Sequence, residues 1–413
     1  MADPNREPTA ATPTLLATLS GPDRTGVSSH IFARLGDLPV EVLDVEQVVV
    51  RGHLTLALLL SAGDNADDVA ERIVAAGADL GMAVTTQPGT GDSHRASRTG
   101  RAAVTVLGAP LTGQAFGAVT GVVAATGANI DRILRLSRYP VTTIEFDVSG
   151  ADVPTLRAEL AAVSVREGVD VAVSPSGLAR RGRRLVVLDV DSTLIQDEVI
   201  ELLAAKAGRE EEVRAVTESA MRGELDFAES LRERVAVLEG LPERVLDEVS
   251  REVRLTPGAR TLVRTLHRLG YTVALVSGGF TPIVEAIAAD LGIVHVRANM
   301  LEVVDGHLTG RVTGTIVDRA GKATALREFA AAEGLPLSRT VAIGDGANDL
   351  DMLQAAGFGV AFNAKPVVRE QAHTSVNVPY LDTVLFLLGI AREEIEEADL
   401  LDTSKPIEGA ASA

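Results

Sequence analysis

Residues 189 to 193 read Asp-Val-Asp-Ser-Thr and follow directly on the apolar run Leu185-Val-Val-Leu188. Ionised carboxylates beside a hydrophobic core are costly unless a cation or hydrogen bonds compensate them. Asp189 and Asp191 are therefore candidates for chemistry, against the plainer reading of a strand that ends in a turn of Asp, Ser and Thr. Two later apolar segments also end in polar clusters, Ser277-Gly278-Gly279-Phe280 and Gly344-Asp345-Gly346-Ala347-Asn348-Asp349, and Lys322 lies between them, after Gly321. Carboxylates gathered at one point repel a phosphate dianion, so a divalent cation has to stand between them, and all-oxygen ligands favour Mg²⁺. Asp189 and Asp345 are the natural ligands, with the backbone carbonyl of Asp191 as a third. The chain has no cysteine, and no Ser-His pair stands at a recognisable motif, so a nucleophile is best sought among the carboxylates.

Phosphoryl transfer suits this set. Asp189 would attack phosphorus, and Asp191 would protonate the departing alkoxide and then activate the water that hydrolyses the intermediate. Ser277 and Lys322 would hold the phosphoryl oxygens, and Asp349 or Asn348 would orient Lys322 or the waters of the metal. Thr193 and Asp349 are read as supports behind these groups, and Ser277, Gly278, Gly279, Lys322 and Asn348 as substrate contacts. Rival phosphate motifs fail. Gly314 stands seven residues before Gly321 and Ala323 follows Lys322, which excludes a P-loop, and Gly344-x-Gly346 has no third glycine at position 349.

The elements that must position these residues follow from periodicity. From residue 185 the pattern runs strand, helices, strand, helix, strand, with strands expected at 185–189, 271–277, 340–345 and 358–362, which implies a parallel sheet with helices on both faces. Ligands gather beyond the carboxyl ends of such strands, where the three polar clusters lie. Roughly 80 residues separate the first two strands and read as helices, an insert able to close over the site and exclude water. Within it Glu198 and Arg234 would match the ammonium and carboxylate of an amino acid, although Arg234 also reads as an ordinary surface charge of a helix.

Residues 13 to 175 contain a weak repeat at an offset of 87: Thr18, Gly21, Thr25, Gly26, Asp44, Arg51, Thr55 and Gly63 recur as Thr105, Gly108, Thr112, Gly113, Asp131, Arg138, Thr142 and Gly150. Each copy orders its elements βαββαβ. The expected fold class is thus α/β, a Rossmann-like parallel sheet with a helical cap insert, preceded by two βαββαβ (ferredoxin-like) α+β domains. Expected boundaries are 1–12 disordered, 13–90 and 101–175 for the two copies, 183–396 for the larger domain with its cap at about 196–256, and 397–413 for a flexible acidic tail. The cluster Arg180, Arg181, Arg183 and Arg184 reads as a solvated linker.

At 413 residues, 46% hydrophobic and 23% charged, the chain is globular and multidomain. Its net charge of −18 disfavours nucleic acid and anionic membranes as partners, because phosphates would be repelled. No apolar run approaches a bilayer span and the first residues have no signal-peptide core, so a cytoplasmic protein is expected.

The combination Asp189-Val-Asp191-Ser-Thr193, Ser277-Gly-Gly, Lys322 and Gly344-Asp345-Gly-Ala-Asn-Asp349 resembles, in order, the four motifs of haloacid dehalogenase-type phosphatases. Residues 184 to 390 further resemble the phosphoserine phosphatase family. That resemblance implies O-phosphoserine as substrate, with Glu198 and Arg234 holding its amino acid end and Met221 and Phe227 packing nearby. The repeat, with Gly-Pro-Asp-Arg-Thr-Gly at 21–26, resembles the ACT domain, a module that binds amino acids. It implies an effector such as serine, near Gly21, Asp23 and Gly26 and their counterparts Gly108 and Gly113, and pairing of the chain into a homodimer. Copy two has Ala109, Pro110 and Leu111 where copy one has Pro22, Asp23 and Arg24, so both copies need not bind. Other readings are a phosphatase of another ester, or an amino-acid-sensing protein with secondary phosphatase activity.

Overall fold

The computed structural model describes residues 13–90, 100–177, 180, 182–221 and 227–403, without the side chains of 217–221, 227 and 403. Two compact units divide the chain, Met1–Arg98 and Thr99–Ala413.

In the first unit, strands β1 (Pro13–Pro22), β2 (Glu41–Val50), β3 (His53–Ser61) and β4 (Ala83–Thr90) form an antiparallel sheet in the order β2-β3-β1-β4. Leu54, Leu56, Leu58 and Leu60 alternate inward along β3, the period-two pattern of a half-buried strand. They pack on Val69, Ile73 and Ala76 of the helix Ala66–Asp79. The second unit opens with the same plan: β5 (Ala102–Gly108), β6 (Asn129–Ser137), β7 (Thr142–Ser149) and β8 (Asp170–Pro175), in the order β6-β7-β5-β8. Its helices are capped by side chains. Thr112 accepts the Ala115 N–H and Asp152 the Thr155 N–H, each satisfying a donor that the first turn leaves open.

The rest of this unit is built on a seven-stranded sheet of β9 (Leu185–Leu188), β10 (Thr272–Phe280), β11 (His295–Val304), β12 (His307–Thr313), β13 (Thr340–Gly344), β14 (Phe358–Phe362) and β15 (Thr374–Val376). Their order is β12-β11-β10-β9-β13-β14-β15, parallel except for the antiparallel β11–β12 hairpin. Every residue of β9, β13 and β14 is buried, as helices on both faces of a parallel sheet require. The four helices Val199–Ala207, Glu210–Met221, Phe227–Ala236 and Arg244–Glu252 come between β9 and β10. The base of this insert is closed by a bridge between Ile195 and Leu255 and by the Arg254–Asp197 ion pair at 2.6 Å.

The second βαββαβ fold is joined to the large sheet. Leu107, Leu136, Val141 and Ala172 share one core with Leu385 and Leu387. Thr374 Oγ1 donates to the Val171 carbonyl at 2.9 Å, and the Asp170 carboxylate accepts the Asn377 backbone N–H and side-chain amide at 2.7 and 2.5 Å. This junction corrects the reading of the arginine cluster as solvated. Arg180 makes a two-point ion pair with Glu145 at 3.0 and 2.5 Å, Arg184 is buried, and Arg183 pairs with Glu333. A linker held between two packed folds meets partners that a free linker does not. Arg181 lies outside the described residues. The tail is also corrected in part. The helix Arg392–Thr403 continues through residue 397, and Asp399 and Asp402 pair with Arg264 and Arg268. Residues 1–12 and 404–413 lie outside the described residues. Among those described, no helix is long and apolar enough to cross a membrane.

Candidate active site

At the end of β9 the Asp189 N–H still donates to the Ile343 carbonyl at 2.9 Å, so the chain leaves the sheet with the Asp189 side chain fixed at the carboxyl edge. The backbone then turns sharply, with Ser192 at φ 55°. Neighbouring β10 delivers Ser277 and β13 delivers Asp345, while the helix Arg319–Ala332 carries Lys322 in its first turn, below an Asp318 cap on the Gly321 N–H. Strand order alone thus gathers residues more than 150 positions apart.

The floor of the site is a buried charge cluster. Lys322, 0% exposed, donates from Nζ to Asp189 Oδ1 and to Asp349 Oδ1, both at 2.6 Å. Burial opposes the Lys322 charge, but the two carboxylates outweigh it and hold its pKa above the usual lysine range. Asp189 is pushed well up, first by burial and then by repulsion from Asp349, with Lys322 pulling the other way. Asp345 is pushed up to about 6 by burial and by Asp349. Carboxylate oxygens of Asp189, Asp345 and Asp349 lie within 4.8 Å of one another. One ammonium among three carboxylates leaves negative charge that a hard divalent cation would neutralise, so the residues present fit such an ion. Thr193 Oγ1 donates to Asp345 Oδ1 at 3.2 Å, and Gly344 is required beside them because a Cβ there would overlap the Asp349 carboxyl.

Asp191 belongs to a different set of contacts. Its Oδ1 accepts the Val199 N–H at 2.8 Å from the first insert helix, and its Oδ2 accepts the Ser277 hydroxyl at 2.9 Å. Burial raises its pKa against both hydrogen bonds, which favours a carboxyl group able to carry a proton. Ser277 Oγ in turn accepts the Gly279 N–H at 2.7 Å. Glu198 is pushed up to about 7 by burial and by the charge of Asp191, and accepts the Ser192 hydroxyl at 2.7 Å. Arg234 is lowered by burial, and its Nε donates to the Ser230 carbonyl at 3.3 Å.

One cavity of about 590 Å³ is lined by Asp189, Asp191, Lys322 and Asp345 on the sheet side, by Glu198 and Arg234 on the insert side, and by Gly278, Gly279 and Asn348 between them. Ser277, Thr193 and Asp349 are buried behind it. The side chains of Met221 and Phe227 lie outside the described residues. The glycine set of the repeat is elsewhere. Gly21 lies one residue before the end of β1 against Met82, Gly26 precedes the helix Val27–Ala33 at φ 89°, and Asp23 N–H donates to the Gly52 carbonyl at 2.8 Å. In the second copy Gly108 ends β5 against Leu111, and Gly113 starts a helix with open space around it.

Three further residues matter that sequence reasoning did not single out. Asn299, 1% exposed, donates to the Gly278 carbonyl and accepts the Val317 N–H, both at 2.8 Å, so it ties the Ser277 loop to the segment leading into the Lys322 helix. Its strand β11 also holds His295, Arg297 and Glu302, so no break in an apolar pattern marks Asn299 in the sequence. Arg319 and Lys365 also line the cavity. Lys365 follows β14, where the rule of strand carboxyl ends applies as it does to the other three.

A parallel sheet carrying a helical insert, with paired aspartates, a serine, a lysine and an acidic loop at its carboxyl edge, defines a phosphohydrolase of the haloacid dehalogenase class. Residues 186–354 match the haloacid dehalogenase-like hydrolase family, and residues 13–87 and 101–174 each match an ACT domain. The chain is 58% identical to a phosphoserine phosphatase of Streptomyces coelicolor over 395 residues, covering 95% of this chain and 96% of the relative. It is 53% identical to the phosphoserine phosphatase SerB2 of Mycobacterium tuberculosis over 403 residues, covering 94% and 96%. Among solved structures, a probable phosphoserine phosphatase from Vibrio cholerae superposes with a TM-score of 0.56 at 36% identity, over 71% of this chain and 88% of that one. The chain belongs to the phosphoserine phosphatase family, with two ACT domains preceding its hydrolase fold.

Proposed function

We propose that this protein hydrolyses O-phospho-L-serine to L-serine and phosphate, with Mg²⁺ as its cofactor, through a phosphoryl group carried on Asp189. The observation that carries this reading is the sharing of Lys322 between Asp189 and Asp349 beside the Asp191–Ser277 pair, with Glu198 and Arg234 on the same cavity. Asp189 and Asp345, with the Asp191 backbone carbonyl, would hold the magnesium ion, whose charge lets a phosphate dianion approach carboxylates. Lys322, hydrogen-bonded to Asp189 Oδ1, steadies the Asp189 carboxylate that attacks phosphorus. The Asp189–phosphorus bond forms as the bond to the serine oxygen breaks, and that oxygen takes the Asp191 proton. Water then attacks the aspartyl phosphate, Asp191 recovers a proton from it, and phosphate leaves with Asp189 regenerated. Ser277 and Lys322 balance charge on the transferring oxygens. Glu198 and Arg234 meet the ammonium and carboxylate of the serine end.

The test is initial rates of phosphate release, with Mg²⁺, from a panel of O-phosphoserine, O-phosphothreonine, phosphotyrosine and sugar phosphates. Preference for O-phospho-L-serine is expected, and preference for a sugar phosphate rejects the substrate. The same reading makes serine a feedback effector of the ACT domains. An added Cβ at Gly113 meets nothing within 4 Å, so Gly113→Ala should fold and should weaken inhibition by L-serine, and unchanged inhibition excludes that turn. Pairing with a second copy is supported by edge strand β2, where Val48, Val49 and Val50 are exposed, and sedimentation would measure it.

A further inference from the structure

Four cations line the cavity, and three are hydrogen-bonded to the protein around them. Lys322 is bound between two carboxylates, Arg319 is paired with Asp351 at 2.6 Å, and Arg234 sits half-buried among the insert helices. The fourth, Lys365, is exposed and has no ion-pair partner among the described residues. Its place in the fold is fixed rather than incidental. Asn363, at φ 46°, turns the chain out of β14 and donates its N–H to the Val376 carbonyl at 2.8 Å. Pro366 then starts the short helix Pro366–Arg369, and the Lys365 carbonyl accepts the Val368 and Arg369 N–H groups at 2.9 and 3.1 Å. The ammonium is therefore presented at the mouth from an anchored backbone.

The electrostatic situation gives such a group something to do. The cavity is also lined by Asp189, Asp191, Glu198, Glu201 and Asp345, and the whole chain carries a net charge of −18. A phosphate monoester approaching this opening meets like charge before it reaches Lys322 on the floor. A low-dielectric cleft focuses the field of a cation at its rim, which raises the encounter rate of an anionic ligand. We propose that Lys365 is a further substrate-binding residue, which captures the phosphate of the incoming ester at the mouth and hands it to the floor of the site. The proposal rests on the reading of this cavity as a phosphate-ester site and adds a residue outside its four motifs.

The test uses the full chain with Lys365→Gln, Lys365→Arg and, as a control of equal charge change elsewhere, Lys206→Gln. In Lys365→Gln, kcat/KM for O-phospho-L-serine should fall by about 3- to 5-fold, the size of one exposed ion pair. The change should lie in KM, with kcat held. The dependence of kcat/KM on salt between about 20 and 200 mM should flatten. Inorganic phosphate should bind correspondingly weaker by calorimetry, and Lys365→Arg should restore each value. Equal effects in Lys365→Gln and Lys206→Gln, or unchanged phosphate affinity in Lys365→Gln, would overturn the proposal. Because phosphate binding is measured without turnover, weakened binding in a protein that does not cleave O-phosphoserine would uphold Lys365 and reject the substrate instead.

Discussion

The floor of the site and its insert-facing wall treat charge in opposite ways. On the floor, Lys322 is enclosed by Asp189 and Asp349 and all three are buried, so the charges are bound to one another before any ligand arrives. On the wall, Glu198 is held only by a serine hydroxyl and Arg234 by a backbone carbonyl, and neither has a charged partner within 4.0 Å among the described residues. A preformed cluster serves a transition state, because its dipoles need no reorganisation as charge moves. An unpaired anion and cation serve recognition, because the ligand completes them. Asp191 belongs to both regions, contacting Ser277 of the sheet and the Val199 N–H of the insert.

This division sets the order of expected effects. Asp189→Asn removes the nucleophile and should lower kcat more than about 10⁴-fold, with circular dichroism unchanged. Asp191→Asn keeps a hydrogen-bonding side chain but no transferable proton, and should lower kcat by about 10²- to 10⁴-fold. A comparable loss appearing only in KM would move Asp191 from the floor to the wall. Arg234→Ala should act through KM, raising it by roughly 10- to 100-fold, the worth of a charge-assisted hydrogen bond.

Glu198 sharpens the comparison through pH. Its pKa is pushed up to about 7, so the carboxylate that meets an ammonium is fully present above that value and is lost as pH falls below it. KM for O-phospho-L-serine should therefore rise between pH 8 and pH 6, and Glu198→Gln should remove that dependence while raising KM throughout. The smallest effect is expected of Thr193→Val, which removes one hydrogen bond to Asp345 and should weaken activation by Mg²⁺ by about 3- to 10-fold.

Much of this was legible in the chain itself. The four strands around the site are apolar runs, and three of the four motifs stand where such a run stops, so period and composition located those three together, while Lys322 lies in the first turn of a helix. The two βαββαβ folds were readable from alternation along strands such as β3. What escaped was set by tertiary contact. Strand β15 has only three residues, too few to show a period, and it exists because β14 and β8 flank it. Arg180 reads as a linker charge until Glu145, distant in sequence, is packed against it. Asn299 carries no motif, and its role appears only when the Gly278 carbonyl and the Val317 N–H are placed on either side of it. Lys365 follows β14, where the rule of strand carboxyl ends applies, but the polar residues there include no carboxylate, so its position and no motif marked it.

The claim that Asp189 carries the phosphoryl group is tested most directly by trapping it. Wild-type protein mixed with Mg²⁺ and O-phospho-L-serine, quenched during turnover and treated with borohydride, would have any aspartyl phosphate reduced to homoserine. Peptide mass spectrometry should then find homoserine at position 189, dependent on substrate. Homoserine at position 191, or phosphate release with Asp189 unmodified at every quench time, would contradict the account.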